Sequence, residues 1–499
     1  MRRIYAIGIG GSGAKCLEAV TFLHAIGIFG DSCLNILLVD ADYANGNGNR
    51  TQINLKNTLE CHRFFKPESG VKSQFMAGHF EDFGVWNPLG GVIYSSDLSK
   101  IFQQQALTSS APPLAKLFNA LYSPPEQVAD LAVGFRGRPP IGSAIMGRLE
   151  LQTLKSGSGD NWQRLFDQVK RERDAGQEVS IHLFGSIFGG TGASGVPTLA
   201  TLIAEQLTKN SLRQGVYLNA SVLLPYFGFE KPNDGEQKVF AETHLFALNT
   251  QAALQHLTEH SNGNFDTVYL MGHENRKSYE SHTGGTQQQN EAHFVELYAA
   301  LAINHGFEQP INKETQAAYI SVTSPDRLIW KDLPDSDKVK KLLSTGVRFA
   351  YSWYYNFSLE LVAAQTLGAK KFAIGAPWFR FFFSLKKEDD SGWPPVGDEE
   401  QKKQAETLTK WTKGFLIWAQ QIAQSHPKGE QFFRLKEFNL ESEDRNYGED
   451  LSKLIINFPE KSAKEKARDR LDTFKNKLAD QGKKSKGVIG LAHELFSLL

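Results

Sequence analysis

The sequence has little that would take it out of water. No run approaches the roughly 18 consecutive apolar residues of a membrane-crossing helix, so no membrane span is expected. Cysteine is scarce. Cys16, Cys33 and Cys61 are odd in number and lack metal-ligand spacing, which excludes a disulfide framework and a zinc site and fits reduced thiols in a cytoplasmic protein. No excess of either charge exists: Lys and Arg total 55, Asp and Glu total 55, and the net charge is zero. Composition therefore gives no reason to expect nucleic acid or a membrane surface as the main partner. Internal repeats are absent. The opening MRRIYAIGIGGSG runs from two arginines straight into a strand and glycines, which is not the pattern of a signal peptide.

What is present is enough to bury a large core: 499 residues, 41% hydrophobic and 22% charged, in more than one domain or one enlarged domain. The first half alternates short β-branched runs with longer helical patterns, which predicts an α/β fold with a mainly parallel sheet flanked by helices. Arg3 to Ile7 reads as a strand, Gly8 to Gly13 as a tight loop and Ala14 to Leu23 as a helix. Leu34 to Val39 is a second strand, ending at Asp40 and Asp42. The stretch from about Tyr43 to Leu131 carries NGNGN, NPLGG and SSAPP and reads as a loop-rich elaboration. Further strands are expected at Val179 to Phe184, Tyr217 to Leu224 and Thr267 to Met271, with an apolar helix from about Gln289 to Asn304. Beyond Asp335 the pattern is mostly helical and aromatic-rich, broken by the charged loop KKEDDSGWPPVGDEEQKK.

GIGGSG at Gly8 to Gly13 matches GxGxxG between a strand and a helix, where backbone amides and a helix N-terminus can face a phosphate. A Rossmann dinucleotide site also suits it, because Asp40 ends the second strand, where such folds hold the ribose. A Walker loop fits less well: Lys15 is one residue late, and Cys16 stands where a magnesium-binding Ser or Thr belongs. A second glycine run, GGTGASG at Gly189 to Gly195, again follows a buried strand and precedes an amphipathic helix. One dinucleotide unit does not require it. Two such loops on one sheet can clamp a polyphosphate, with the hydroxyls of Thr191 and Ser194 and the second helix's positive end added.

In these features the sequence resembles the tubulin and FtsZ superfamily, over about its first 300 residues. FGGTGASG at Phe188 to Gly195 is similar to the family's GGGTGSG, with Phe188 in place of its first glycine and Ala193 between its last ones. GIGGSGAK resembles GxGGGGGN, with Lys15 in place of an asparagine that helps read the base. VDAD at Val39 to Asp42 is similar to the NTD-type loop. GFRGRPPIGSA at Gly134 to Ala144 resembles the GAGANPxxG-type loop under the terminal phosphate. LPYFGFE at Leu224 to Glu230 and VFAE at Val239 to Glu242, separated by KPNDGEQK, resemble elements that hold the ribose, and QNEAHF at Gln289 to Phe294 the start of the long central helix, where Asn290 would meet guanine.

The resemblance implies a domain at 1–288 binding GTP or GDP with Mg2+, the elaboration at about 43–131 included. A central helix and second domain follow at 289–390, then a helical C-terminal region at 391–499. Its implied nucleotide contacts are Gly10, Gly11, Ser12, Lys15, Asp40, Asp42, Gly137, Gly189, Gly190, Thr191, Gly192, Ala193, Glu230 and Asn290. It also implies self-assembly into filaments or oligomers, with GTP hydrolysed at subunit interfaces through an NxDxxD loop. WKDLPD at Trp330 to Asp335 keeps both aspartates, Asp332 and Asp335, with Trp330 in place of the asparagine; orienting the attacking water is the role so implied. The same residues also read as a solvated helix cap. No protein-held metal site is expected. From Lys461 to Lys486 a basic helical pattern shows Leu471, Phe474 and Leu478 on one face, and the closing GLAHELFSLL reads as an apolar tail able to dock on a neighbouring subunit or partner. Two other functions stay open: a nucleotide-bound scaffold or sensor that does not hydrolyse, and a dinucleotide-dependent oxidoreductase built on GIGGSG and Asp40. ATP also stays open, since guanine preference rests on Asn290 and the resemblance.

Overall fold

The computed structural model describes residues 1–42, 44–67, 73–90, 97–150, 161–231, 240–260, 263–274, 276–282, 285–311, 314–319, 328–386, 392–435, 438–440, 450–456, 462–480 and 486–499. Tyr43, most of KPNDGEQK, Val239, part of the charged loop near 387–391 and parts of the basic stretch, at 461 and 481–485, fall outside them. Among the described residues the strands are, in chain order, β1 (Arg2–Ile9), β2 (Ser32–Val39), β3 (His79–Trp86), β4 (Glu178–Ser186), β5 (Val216–Leu223), β6 (Phe227–Phe229), β7 (Thr267–Met271), β8 (Lys277–Tyr279) and β9 (Gln316–Tyr319).

Seven of them form one sheet in the order β3-β2-β1-β4-β5-β7-β9, and every neighbouring pair is parallel. A parallel sheet is covered on both faces, so its strands read as nearly continuous apolar runs. All eight residues of β2 are buried. In β1, Ile4 and Ala6 enter one core, while Tyr5, Ile7 and Ile9 enter the other. On the first face lie α1 (Gly10–Ala25) and α2 (Gly46–Phe65). The second face carries α3 (Pro139–Met146), α4 (Asn161–Asp174) and α5 (Gly190–Lys209). α6 (Phe246–His260) packs beside α5, and α7 (Phe294–Glu308) returns to the first face.

The structure departs from the sequence reading in four places. The Gly8 to Gly13 loop does not exist as a loop, because β1 extends to Ile9 and α1 starts at Gly10. Tyr43 to Leu131 is not mainly loop: it holds the 20-residue helix α2 and the edge strand β3. The NGNGN run opens α2, since Asn45 caps it by accepting from the amides of Asn47 and Gly48. The central helix α7 begins at Phe294 rather than Gln289. His293 caps it, its Nδ1 accepting from the Val295 amide while Glu296 accepts from the His293 amide, and Asn290 is left ahead of the helix.

After Asp335 the chain is helical: α8 (Ser336–Ser352), a π-turn at Trp353–Phe357, α9 (Ser358–Leu367), α10 (Glu399–Gln424), α11 (Leu471–Asp480) and α12 (Gly487–Leu498), with shorter pieces between. These helices close over the first face. Phe22 of α1 meets Trp411 and Phe415 of α10 at ring-centroid distances of 6.2 and 5.5 Å, and Phe75 meets Phe349 and Phe496 at 4.9 and 5.4 Å. One apolar cluster therefore runs across residues 288 and 390.

The fourth departure is the tail, which is not free for a partner. It forms α12, and Leu491, Ala492, Leu495 and Phe496 are buried in the chain's own core, with the Val488 amide held by Gln401 Oε1 at 2.8 Å. The periodicity of GLAHELFSLL demanded a buried face, and α2, α8 and α10 supply it from the same chain. In the basic stretch, Leu471, Phe474 and Leu478 are buried together as read. Among the described residues no helix is long and apolar enough to cross a membrane.

Candidate functional site

From β1 the chain builds outward through β2 and β3, then crosses back to β4 and builds the other way. The order therefore reverses between β1 and β4, whose register ends at the pair Ile9 and Gly185. Ligands in such sheets sit beyond the carboxyl ends of the strands at this reversal. Here α1 starts at Gly10 and α5 at Gly190, side by side. A helix N-terminus leaves its first amides unpaired and carries partial positive charge. Neither helix has a side-chain cap, and neither has an acidic residue in its first turn. Both positive ends are thus left to a ligand, which suits an anion.

Between them lies a cleft with about 890 Å³ of empty space open to solvent. Its floor is Gly10, Gly11 and Ser12 from α1 and Ser186, Gly189, Gly190, Thr191 and Gly192 from the β4–α5 turn. Two of these glycines are sterically required. Gly10 has φ of +72°, and a Cβ on Gly192 would come within 2.3 Å of the Ser186 carbonyl oxygen.

One wall is acidic. Asp40 is buried; its Oδ1 accepts from the Asp42 amide at 3.2 Å, and its Oδ2 has no partner among the described residues. Burial, the largest influence, pushes its carboxyl up to about 7. Asp42 is tied to the Ala44 and Gly285 amides at 3.0 and 2.8 Å. Its carboxyl is also raised, again by burial above all.

The far end is amide and aromatic, with Asn45, Asn47, Gln288, Asn290 and His282 among Phe227, Phe229, Phe240 and Phe246. Asn290 is locked there: its amide donates to Asn47 Oδ1 at 2.8 Å, its carbonyl accepts from Arg50 Nη1 at 2.7 Å, and its Oδ1 accepts from Gln288 Nε2 at 2.9 Å. The loop at Gly134 to Gly137 covers the cleft near Gly190, where a Cβ would meet Phe135 at 2.7 Å.

The cleft brings together Gly10, Gly11, Ser12, Asp40, Asp42, Gly137, Gly189, Gly190, Thr191, Gly192 and Asn290. Lys15 is not on it. Its Nζ sits 2.5 Å from Glu296 Oε1, both side chains are essentially inaccessible, and Tyr226 donates to the same oxygen at 2.6 Å. A residue one turn into α1 points behind the cleft, so Lys15, expected to contact the nucleotide, instead holds α7 to α1. Ala193 faces the core of the second layer, and Glu230 is exposed beyond β6. Asp332 and Asp335 also lie off the cleft. Asp332 Oδ2 accepts from the Ile329 amide at 2.9 Å, Asp335 begins α8 with φ of +49°, and Trp330 is core, donating to the Ile456 carbonyl at 2.7 Å.

Sequence reasoning missed Asn45 and Asn47, taken for turn residues, and Arg136, quoted within its loop but given no role. The signal for Asn45 was there: Asn followed by a helix-length pattern with Thr51, Leu55, Thr58 and Cys61 on one face.

No protein-family model matches the chain, and no curated protein does. Among solved structures it is similar to a point mutant of FtsZ from M. jannaschii, at 13% identity over 54% of this chain and 46% of that one, with a TM-score of 0.21. It is also similar to TubZ of Clostridium botulinum phage c-st lacking its C-terminal tail, at 11% identity over 61% and 59%, with a TM-score of 0.23. The matches span about half the length of those chains. The likeness is distant. On its own geometry the chain has an α/β fold, a seven-stranded parallel sheet between helical layers with two uncapped helix ends at the strand reversal.

Proposed function

We propose that the cleft binds a nucleoside triphosphate together with Mg2+, that GTP and GDP are its ligands, and that the bound nucleotide controls self-assembly in the cytoplasm. The observation that carries the reading is the pair of uncapped, glycine-opened helix N-termini beside the buried, half-partnered Asp40. Amides at Gly10 to Ser12 and Gly189 to Gly192 would hold the phosphates. Asp40 would hold the cation, its free Oδ2 being a hard oxygen donor of the type magnesium takes. Magnesium supplies charge neutralisation between phosphate oxygens. The amides of Asn45, Asn47 and Asn290 and the surrounding phenylalanines would receive the base.

The sequence resemblance to the tubulin and FtsZ superfamily makes filament assembly the reaction to look for. Hydrolysis would then need Asp332 and Asp335 from a neighbouring subunit, because each lies off its own cleft. A second reading has an observation in its favour: the Asp332 carboxylate is already engaged as a local cap, accepting from the Ile329 amide, which suits a nucleotide-bound scaffold or sensor that does not hydrolyse. Alanine substitution of both aspartates separates the two. Phosphate release that falls at least tenfold supports interface hydrolysis; unchanged release removes the aspartates from the chemistry. Sedimentation of the purified chain with GTP and Mg2+ tests assembly, and a chain that stays monomeric at high concentration contradicts it.

A further inference from the structure

Away from the cleft, α8 and the end of α12 enclose a second cavity with about 1620 Å³ of empty space open to solvent. Among the described residues it shares no lining residue with the cleft. Its wall is a stripe of α8 made by Asp337, Lys340, Lys341, Ser344 and Arg348, whose spacings of three and four place them on one face. Lys340 and Lys341 have no ion-pair partner among the described residues.

Two of these side chains are buried with a donor unspent. Ser344 is 7% and Arg348 9% exposed, and neither Ser344 Oγ nor Arg348 Nε has a hydrogen-bond partner among the described residues. A helical serine can return its hydroxyl to the carbonyl four residues back, as Ser358 does to Tyr354 at 3.0 Å. Ser344 makes no such bond. The rest of the guanidinium is occupied: Nη2 is 3.5 Å from Asp469, and Nη1 donates to the Leu499 oxygen at 3.4 Å. Burial still pulls Arg348 below its usual range, with Asp469 acting the other way. Unpaired buried donors are costly, and these two stand one helical turn apart.

The chemistry of the stripe selects its ligand. Ammonium and guanidinium groups donate and cannot accept, so they call for an acceptor that carries negative charge. The lining holds three cations against Asp337, while Asp469, which offsets Arg348, lies outside it. A phosphoryl group, with about −1.5 to −2 charges at neutral pH and three acceptor oxygens, matches both the charge and the donors. We propose that this cavity is a second anion site, which takes a small molecule by a phosphoryl group held between Lys340, Lys341, Ser344 Oγ and Arg348 Nε. The site does not depend on the nucleotide reading of the cleft.

The test is calorimetric titration with inorganic pyrophosphate and with citrate, plus thermal unfolding, of the full chain carrying Gly10→Val, which blocks the cleft floor. Pyrophosphate should bind and raise the unfolding temperature. In that background K340Q/K341Q should weaken pyrophosphate at least about tenfold, and S344A roughly three- to tenfold. K370Q/K371Q, which changes two adjacent exposed lysines off the cavity, should alter nothing. In the wild type, K340Q/K341Q should lower the pyrophosphate stoichiometry by one per chain. Absence of pyrophosphate binding to the Gly10→Val chain, with no stoichiometry change in the wild type, overturns the proposal. Equal weakening by K370Q/K371Q also overturns it, as the mark of diffuse charge. If K340Q/K341Q lowers the ligand-free unfolding temperature and leaves pyrophosphate affinity unchanged, the stripe serves only to hold the end of α12, and the proposal falls. Citrate that binds more tightly than pyrophosphate overturns the phosphoryl assignment.

Discussion

Gly10 and Thr191 face each other across the cleft floor: a Cβ on Gly10 would stand 3.0 Å from the Thr191 Cβ. The first residues of two helices, from strands that meet at the order reversal, are that close. Gly10→Val should therefore fill the space a phosphate would take and strain a backbone at φ of +72°, costing roughly 1–2 kcal/mol. Nucleotide affinity should fall at least 100-fold by calorimetry while circular dichroism still shows a folded chain. Unchanged affinity would mean that the two helix ends do not hold the ligand.

Asp40→Asn should uncouple Mg2+ from nucleotide affinity, so that adding the cation no longer strengthens binding, against a gain of roughly tenfold or more in the wild type. The ligand-free protein should also change. With its folded pKa raised to about 7, Asp40 contributes stability that is full below the usual carboxylate pKa of 3.8 and is lost as pH rises through 7. Asn does not titrate. The variant should therefore be the more stable of the two at pH 8, by at most about 4 kcal/mol at 1.36 kcal/mol per pH unit. Urea midpoints at pH 5 and pH 8 check the sign.

Buried imidazoles set the acid limit, His24 and His182 among them. His24 is held near 4 and His182 near 3, in each case by burial, against an ordinary value of 6.5. A depressed folded pKa gives stability that is present above 6.5 and lost as pH falls towards the folded value. Each should cost about 2 kcal/mol by pH 5. His24→Phe should make urea stability fall less steeply between pH 7.5 and 5, by His24's share alone, since His182, His293 and His493 are also held low by burial, and an unchanged slope would remove His24 from the account.

Leu495 of α12 is fully buried against the chain's own helices. Leu495→Ala should lower unfolding free energy by about 2–5 kcal/mol in urea titration. A variant of unchanged stability that loses association instead would restore the tail as a docking segment.

The cleft floor was legible because close backbone approach demands glycine, and glycine runs at strand–helix junctions are visible in one dimension. The sheet was legible for a similar reason, since burial on both faces makes continuous apolar strands such as Leu34 to Val39. Lys15 was not. Its partner Glu296 is 281 positions away, and nothing local says that a lysine will be buried against it. NGNGN was misleading because Asn and Gly signal both turns and helix starts, and only the packing of Leu55, Cys61 and Phe65 selects the helix. The tail's pattern specified a buried face without specifying whose chain would bury it. Arg136 passed unnoticed because a loop arginine's place on a cleft becomes visible only once the fold is known.

The most direct test of the central claim is mass-spectrometric identification of whatever small molecule is released from the purified full chain on denaturation, paired with calorimetric titration of the emptied protein with GTP in Mg2+. Release of GTP or GDP, with rebinding that Gly10→Val abolishes, is the result predicted. Release of NAD or NADP, or the absence of any nucleotide binding to the folded protein, would contradict it.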